Sequence, residues 1–132
     1  MTDLSDISSA DNLRQEQALL EFSNAILQRI STAAPLAEVL NFIACGIEAI
    51  EPEMRCSVLL LDQSGQHLLY GAAPSLPREY NTAIDGIEIG PSVGSCGTAA
   101  YRGEAVFVAD IACDPLWANF KGLALGCGLA AC

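Results

Sequence analysis

Basic residues are scarce in this sequence. Six Lys and Arg stand against sixteen Asp and Glu, a formal net charge of −10 over 132 residues. A surface of that sign repels phosphate backbones and anionic headgroups, which argues against nucleic acid as a partner and against membrane insertion. No apolar run approaches the ~20 residues of a membrane span. Residues 1–16 are polar and acidic, without the basic flank and apolar stretch of a signal peptide. These absences predict a cytoplasmic location. Histidine occurs once, at His67, and the six cysteines (Cys45, Cys56, Cys96, Cys113, Cys127 and Cys132) contain no CxxC pair and no histidine at zinc-ligand spacing. No metal site is expected, and with nothing directing secretion the cysteines are read as reduced thiols.

What is present describes one globular domain, with 52% apolar and 17% charged residues. Residues 1–10 read as a flexible N-terminus. Residues 11–33 read as an N-terminal helix in which Leu13, Leu20 and Leu27 recur every seven positions, while Leu19, Phe22, Ile26 and Ile30 form a neighbouring stripe. That is more apolar surface than one face needs, so the helix either packs on its own domain or joins a second copy in a dimer. Pro35 opens a second helix, whose face of Leu36, Val39, Leu40, Ile43, Ile47 and Ile50 runs to Pro52 and should lie on a sheet.

The pattern then changes period. Residues 55–62 and 66–73 read as a hairpin about the Gln63-Ser64-Gly65 turn. A short helix at 78–84, a brief strand at 87–89, a small-residue helix at 93–102, a strand at 105–109 and a helix at 115–126 follow, and residues 129–132 open a further strand. No internal repeat is visible. The predicted class is α/β in the α+β sense, one antiparallel sheet flanked by helices.

Four stretches carry a family resemblance: Ala72-Ala73-Pro74-Ser75-Leu76-Pro77, Gly94-Ser95-Cys96-Gly97-Thr98-Ala99-Ala100, the run from Val106 to Asp110-Ile111, and Asp114-Pro115-Leu116-Trp117. In this order and spacing they resemble GAF domains of the sensory type found in bacterial cyclic-di-GMP signalling proteins and sensor kinases; with the hairpin and preceding helices the resemblance covers about Leu20 to the C-terminus, and the GAF domain itself is placed at residues 34–132. It implies a ligand cavity between the sheet and the segment 90–120. It implies a small-molecule ligand, with occupancy passed to an output domain (diguanylate cyclase, phosphodiesterase or two-component kinase) in a longer polypeptide. Ligand contacts are expected from Gly94, Ser95, Cys96, Gly97 and Thr98, with Tyr80, Trp117 and Phe120 as walls. The residues themselves allow two readings: glycines let backbone approach a ligand and a helix start near Ser95 offers free amides, or the same glycines only permit tight packing. Trp117 and Phe120 likewise serve either as pocket walls or as core. No cofactor is assigned: there is no Cys-His pair for a covalent bilin, and His67 is read as a solvated hairpin residue.

Two alternatives stand beside the sensory reading. Free methionine-(R)-sulfoxide reductases share the GAF fold and a Gly-x-Cys-Gly-Thr-Ala segment, which Cys96 matches. For their second cysteine there are two candidates, Cys113 in Ala112-Cys113-Asp114 and Cys132 after the crossover helix. The other alternative is a dimerisation module that binds nothing. The resemblance also implies that the sheet continues past residue 132, so the domain is expected to be incomplete at its C-terminus, with the strand at 129–132 lying between the hairpin and the strand near Val106. Cys127 and Ala130 stand where sensory relatives usually carry a His and an Arg.

Overall fold

The computed structural model describes residues 4–132. The chain runs α1 (Leu4–Ser31), α2 (Leu36–Ile50), β1 (Val58–Leu61), β2 (His67–Ala72), α3 (Arg78–Ile84), β3 (Ile87–Glu88), α4 (Gly94–Arg102) and α5 (Lys121–Gly126), with a 3-10 turn at Pro115–Trp117. It is an α+β fold, as the sequence predicts: helices about a three-stranded antiparallel sheet in the order β1-β2-β3. Among the described residues no helix is long and apolar enough to cross a membrane, and no group of three or more His, Cys, Asp or Glu could hold a metal ion.

Helix α1 starts at Leu4, seven positions before the expected Asp11, so most of the segment expected to be flexible is helical; residues 1–3 lie outside the described residues. Its 28 residues extend about 42 Å at 1.5 Å per residue. Among the residues whose side chains are described, those of its C-terminal half meet the domain. Phe22 packs on Phe42 of α2 with ring centroids 5.7 Å apart, and the Arg29 guanidinium lies 3.9 Å over the Phe42 ring. Gly46 makes this crossing close: a Cβ there would fall 2.1 Å from Cε2 of Phe22.

Helix α2 covers one face of the hairpin, with Val39 and Ala44 buried. The carboxylate of Glu48 anchors it by accepting from the Cys56 amide (2.9 Å) and from the Ser75 hydroxyl, and these bonds hold its pKa below the usual range. In the hairpin Leu61 faces Leu68 and Val58 faces Ala72, with a register shift beside Val58. Gly71 sits at that irregularity because a Cβ there would lie 2.7 Å from the Val58 carbonyl. The second face carries the main core: Ala73, Leu76, Tyr80, Ile84, Val108, Ile111, Trp117 and Ala124.

The hairpin turn is closed by one carboxylate. Asp62 Oδ1 accepts from Ser64 Oγ (2.7 Å), from the Gln66 amide (3.2 Å) and from the His67 amide (3.3 Å), and Oδ2 lies 3.1 Å from His67 Nδ1. The Ser64 hydroxyl and then the backbone donors hold the Asp62 carboxyl down at about 2. A depressed carboxyl contributes stability that is complete above its unfolded value of about 3.9 and is lost as pH falls through 2. The protection of the Gln66 and His67 amides, measured against their intrinsic exchange rates, is therefore expected to fall between about pH 4 and pH 2 in the native chain. Asp62→Ala should exchange fast at these amides at every pH and melt earlier. Unchanged protection in the variant would remove this role.

Two expectations need correction. Residues 105–109 form no regular strand. The segment is extended and exchanges backbone bonds with the last residues: Cys132 N–H to Val108 O (2.8 Å), Val108 N–H to Cys132 O (2.5 Å) and Ile111 N–H to Ala130 O (2.8 Å). Residues 129–132 thus lie along 108–111, but no backbone bond joins them to β1, whose outer edge has no backbone partner among the described residues. The helix expected at 115–126 is broken in two. Asp114 caps the 3-10 turn by accepting from the Leu116 amide (2.9 Å), and Phe120 then leaves helical angles (φ −123°, ψ −9°) before α5 begins.

Candidate functional site

The entry of the chain into α4 sets the site. Val93 precedes the helix, and Gly94 adopts φ +56°, a left-handed angle that a Cβ disfavours. A Cβ on Gly94 would meet the Trp117 indole at 3.4 Å, an ordinary packing distance, so it is the backbone angle that calls for glycine there. Gly97 lies against Val93, where an added Cβ would be 2.6 Å from the Val93 side chain. The turn is pinned by Thr98: its Oγ1 accepts from the Val93 amide (3.1 Å) and donates to the Gly94 carbonyl (2.5 Å).

Under this turn lies a small cavity of about 30 Å³, room for roughly two water molecules. Gly94, Ser95, Cys96 and Gly97 form its α4 wall, and Tyr80, Trp117 and Phe120 close it as the sequence proposed. The rest of the lining is apolar and comes from elements not singled out in the sequence: Leu59 and Leu68 of the hairpin, Ile84, Ile87, Val93 and Leu123. The strands hid this because alternation tells which residues share a face, not which face meets a cavity. Thr98 does not line the cavity; it is fully buried and turned back into its own helix.

Few polar groups face inward. Trp117 Nε1 donates to Ser95 Oγ at 3.0 Å, and both residues are buried. Burial pushes the Tyr80 phenol up to about 12, and the sulfurs of Cys96, Cys132 and Cys127 add to the shift. The cavity is therefore a mainly apolar slot with one hydroxyl–indole pair and one phenol.

The structure also separates the cysteines. Interaction with the Cys132 side chain, followed by burial, raises the Cys96 thiol far above its ordinary range; the same interaction draws Cys132 down to about 6, and Ser95 adds to the fall. Cys113 is elsewhere, in the exposed turn at 111–113, where hydrogen bonding to the Asp110 carboxylate, followed by its charge, raises the thiol. The local letters Ala-Cys-Asp thus mark a surface turn, and the cysteine that acts on Cys96 is Cys132. His67 stays in the hairpin turn, bonded to Asp62.

No family model matches this sequence. Over 119 residues, 90% of the chain, it is 38% identical to the methyl sulfide methyltransferase-associated sensor of Methanosarcina acetivorans, and the match takes in 12% of that protein's length. Nearly the whole chain is thus similar to a small part of a protein named as a sensor.

Proposed function

We propose that the chain is a GAF-type sensory domain that binds a small, mainly apolar molecule in the cavity under α4 and passes occupancy to an output domain in a longer cytoplasmic polypeptide. The observation that carries this reading is the cavity itself, built where the motif order places it and lined by seven of the eight expected contact residues. The similarity to a sensor supports the role, and the small share of that sensor covered fits a module within a larger protein. At about 30 Å³ the slot admits little until its walls move. That requirement favours signalling: a ligand that binds better to an opened state shifts the population by its differential affinity.

The chain purified natively, then denatured and extracted, is expected to release a small molecule detectable by mass spectrometry. Leu123→Phe, which fills the slot with a larger apolar ring, should release much less. Equal recovery from both would place the ligand elsewhere, and no recovery from either would leave the dimerisation module as the better reading.

A second reading is reduction of free methionine-(R)-sulfoxide, supported by the opposite shifts that the Cys96 and Cys132 thiols impose on each other. The sensory proposal expects no turnover of that substrate with a thiol reductant. Rates of order 1 s⁻¹ or more, abolished by Cys132→Ser, would replace the sensor by the enzyme.

A further inference from the structure

We propose that the cavity under α4 takes an uncharged molecule with one hydrogen-bond acceptor on a compact aliphatic body, such as a small ketone, aldehyde or ether, and that the Tyr80 phenol is the donor that holds it. The assignment rests on the cavity reading above and adds the chemistry of the occupant. It starts from an unpaired donor. Tyr80 is 7% exposed and lines the cavity, and its oxygen has no hydrogen-bond partner among the described residues. That oxygen is not sealed in. Among the described residues the side-chain polar atoms buried without a partner are Arg29 Nε and Asn81 Oδ1, and the phenol oxygen is not one of them. A buried phenol ordinarily finds a partner. The open space beside this otherwise buried side chain is the cavity, so the partner it lacks is one that the occupant supplies.

The other polar groups of the wall are already paired or are donors themselves. Trp117 Nε1 gives its proton to Ser95 Oγ. The amides of Ser95 and Cys96 fall in the first turn of α4, where a helix has no carbonyl to offer them. No Asp, Glu, Lys, Arg or His lines the cavity, and the rest of its wall is aliphatic or aromatic. Donors without a charge select the occupant's class. A carboxylate or phosphate would give up its hydration with no cation to meet it, a loss that one neutral hydrogen bond does not offset. Burial, the main cause that pushes the phenol up to about 12, acts equally on an anion placed beside it. An ammonium group would find no carboxylate. A hydrocarbon would suit the walls and leave the phenol unpaired. The volume of about 30 Å³ keeps the body to a few non-hydrogen atoms. A zwitterionic amino acid fails on charge and on size, which sets this occupant against the reductase reading as well.

The test uses the whole chain, dialysed, and three probes matched in size and shape: acetone, a neutral acceptor; acetate, its anionic counterpart; and isobutene, which has a methylene group in place of the carbonyl oxygen. Trp117 is the single tryptophan and lines the cavity, so its indole N–H signal in a proton–nitrogen correlation spectrum reports on the site alone. Acetone is expected to shift that signal along a saturable curve, with a Kd on the order of millimolar. Acetate at equal ionic strength should give no saturable shift. Tyr80→Phe keeps the ring and removes the hydroxyl. It should weaken acetone about fivefold, the worth of one neutral hydrogen bond, and leave isobutene binding unchanged, which also shows that the variant keeps its cavity. A second measurement needs no variant: nuclear Overhauser contacts from the acetone methyls in the native chain should reach the Tyr80 ring and the Trp117 indole. Acetate binding as tightly as acetone, contacts that miss Tyr80, or an acetone affinity unchanged by Tyr80→Phe would overturn the assignment, and the cavity reading would survive it as long as isobutene binds. If neither acetone nor isobutene moves the indole signal, the cavity reading falls and this assignment falls with it.

Discussion

Replacing Trp117 with alanine is expected to cost about 3–5 kcal/mol, a large share of the 5–15 kcal/mol that keeps a domain of this size folded. The indole is 5% exposed and packs within the main core cluster, so truncation loses its apolar contacts and leaves a hole beside an existing cavity. It also strands Ser95, whose buried hydroxyl loses the Trp117 donor. Trp117→Phe separates the two parts: it keeps most of the ring but not the N–H, and about 1–3 kcal/mol should remain as its cost. Phe107 is the control. It is a large aromatic that is 88% exposed, and Phe107→Ala should fall within about 0.5 kcal/mol of the unmodified chain. Urea unfolding followed by circular dichroism reads all three without relying on the indole. If Trp117→Ala unfolds at the same urea concentration as Phe107→Ala, the ring is not part of the core.

The contrast between these two aromatics marks where the sequence was legible. Proline-bounded apolar periodicity placed α2 and α3: Pro35 and Pro77 each stand immediately before the first helical residue, and α3 runs from Arg78 to Ile84 as predicted. The hairpin, with Gly65 at φ +70°, also followed from its letters, although the paired strands are shorter than their apolar runs. Residues 105–132 were harder. Val106 and Val108 sit in an extended segment whose only regular bonds lie with residues 130 and 132, a pairing decided by the path of 112–128 rather than by local propensity. The same path leaves Cys113 in an exposed turn, which the letters Ala112-Cys113-Asp114 do not reveal. Within the site, the motif at 94–97 and the aromatic walls were legible because glycines and a tryptophan are rare and positionally demanding. The aliphatic walls from Leu59, Leu68 and Leu123 were not, since any core position has that composition. Thr98 looked like a contact in the motif, but its hydroxyl closes the turn that Gly94 opens.

Leu20→Glu together with Leu27→Glu is expected to convert a dimer into a monomer. All residues of α1 from 8 to 21 are exposed, so about four turns have no packing within the chain. An isolated helix of that length is marginal in water, and its stability must come from apolar burial against something. Leu13, Leu20 and Leu27 are 63%, 66% and 62% exposed and lie seven residues apart, which puts them on one seam that a second copy can match residue for residue. Leu19 (51%) and Ile30 (57%) widen the seam, while Phe22, Ala25 and Ile26 are already partly used against the chain's own domain. Gln17 and Asn24 fall between the leucines and weaken the seam while restricting its register. Light scattering at micromolar concentration should therefore give twice the chain mass for the native protein. Each glutamate places a charge in the apolar seam, opposite its own copy, and burying unpaired charge costs more than a contact of this size returns. The double variant should run as a monomer and lose helical circular dichroism roughly in proportion to the unpacked turns, while retaining the domain's own unfolding transition. A native chain that is already monomeric, with full helicity in α1, would show that the leucine stripe needs no second copy.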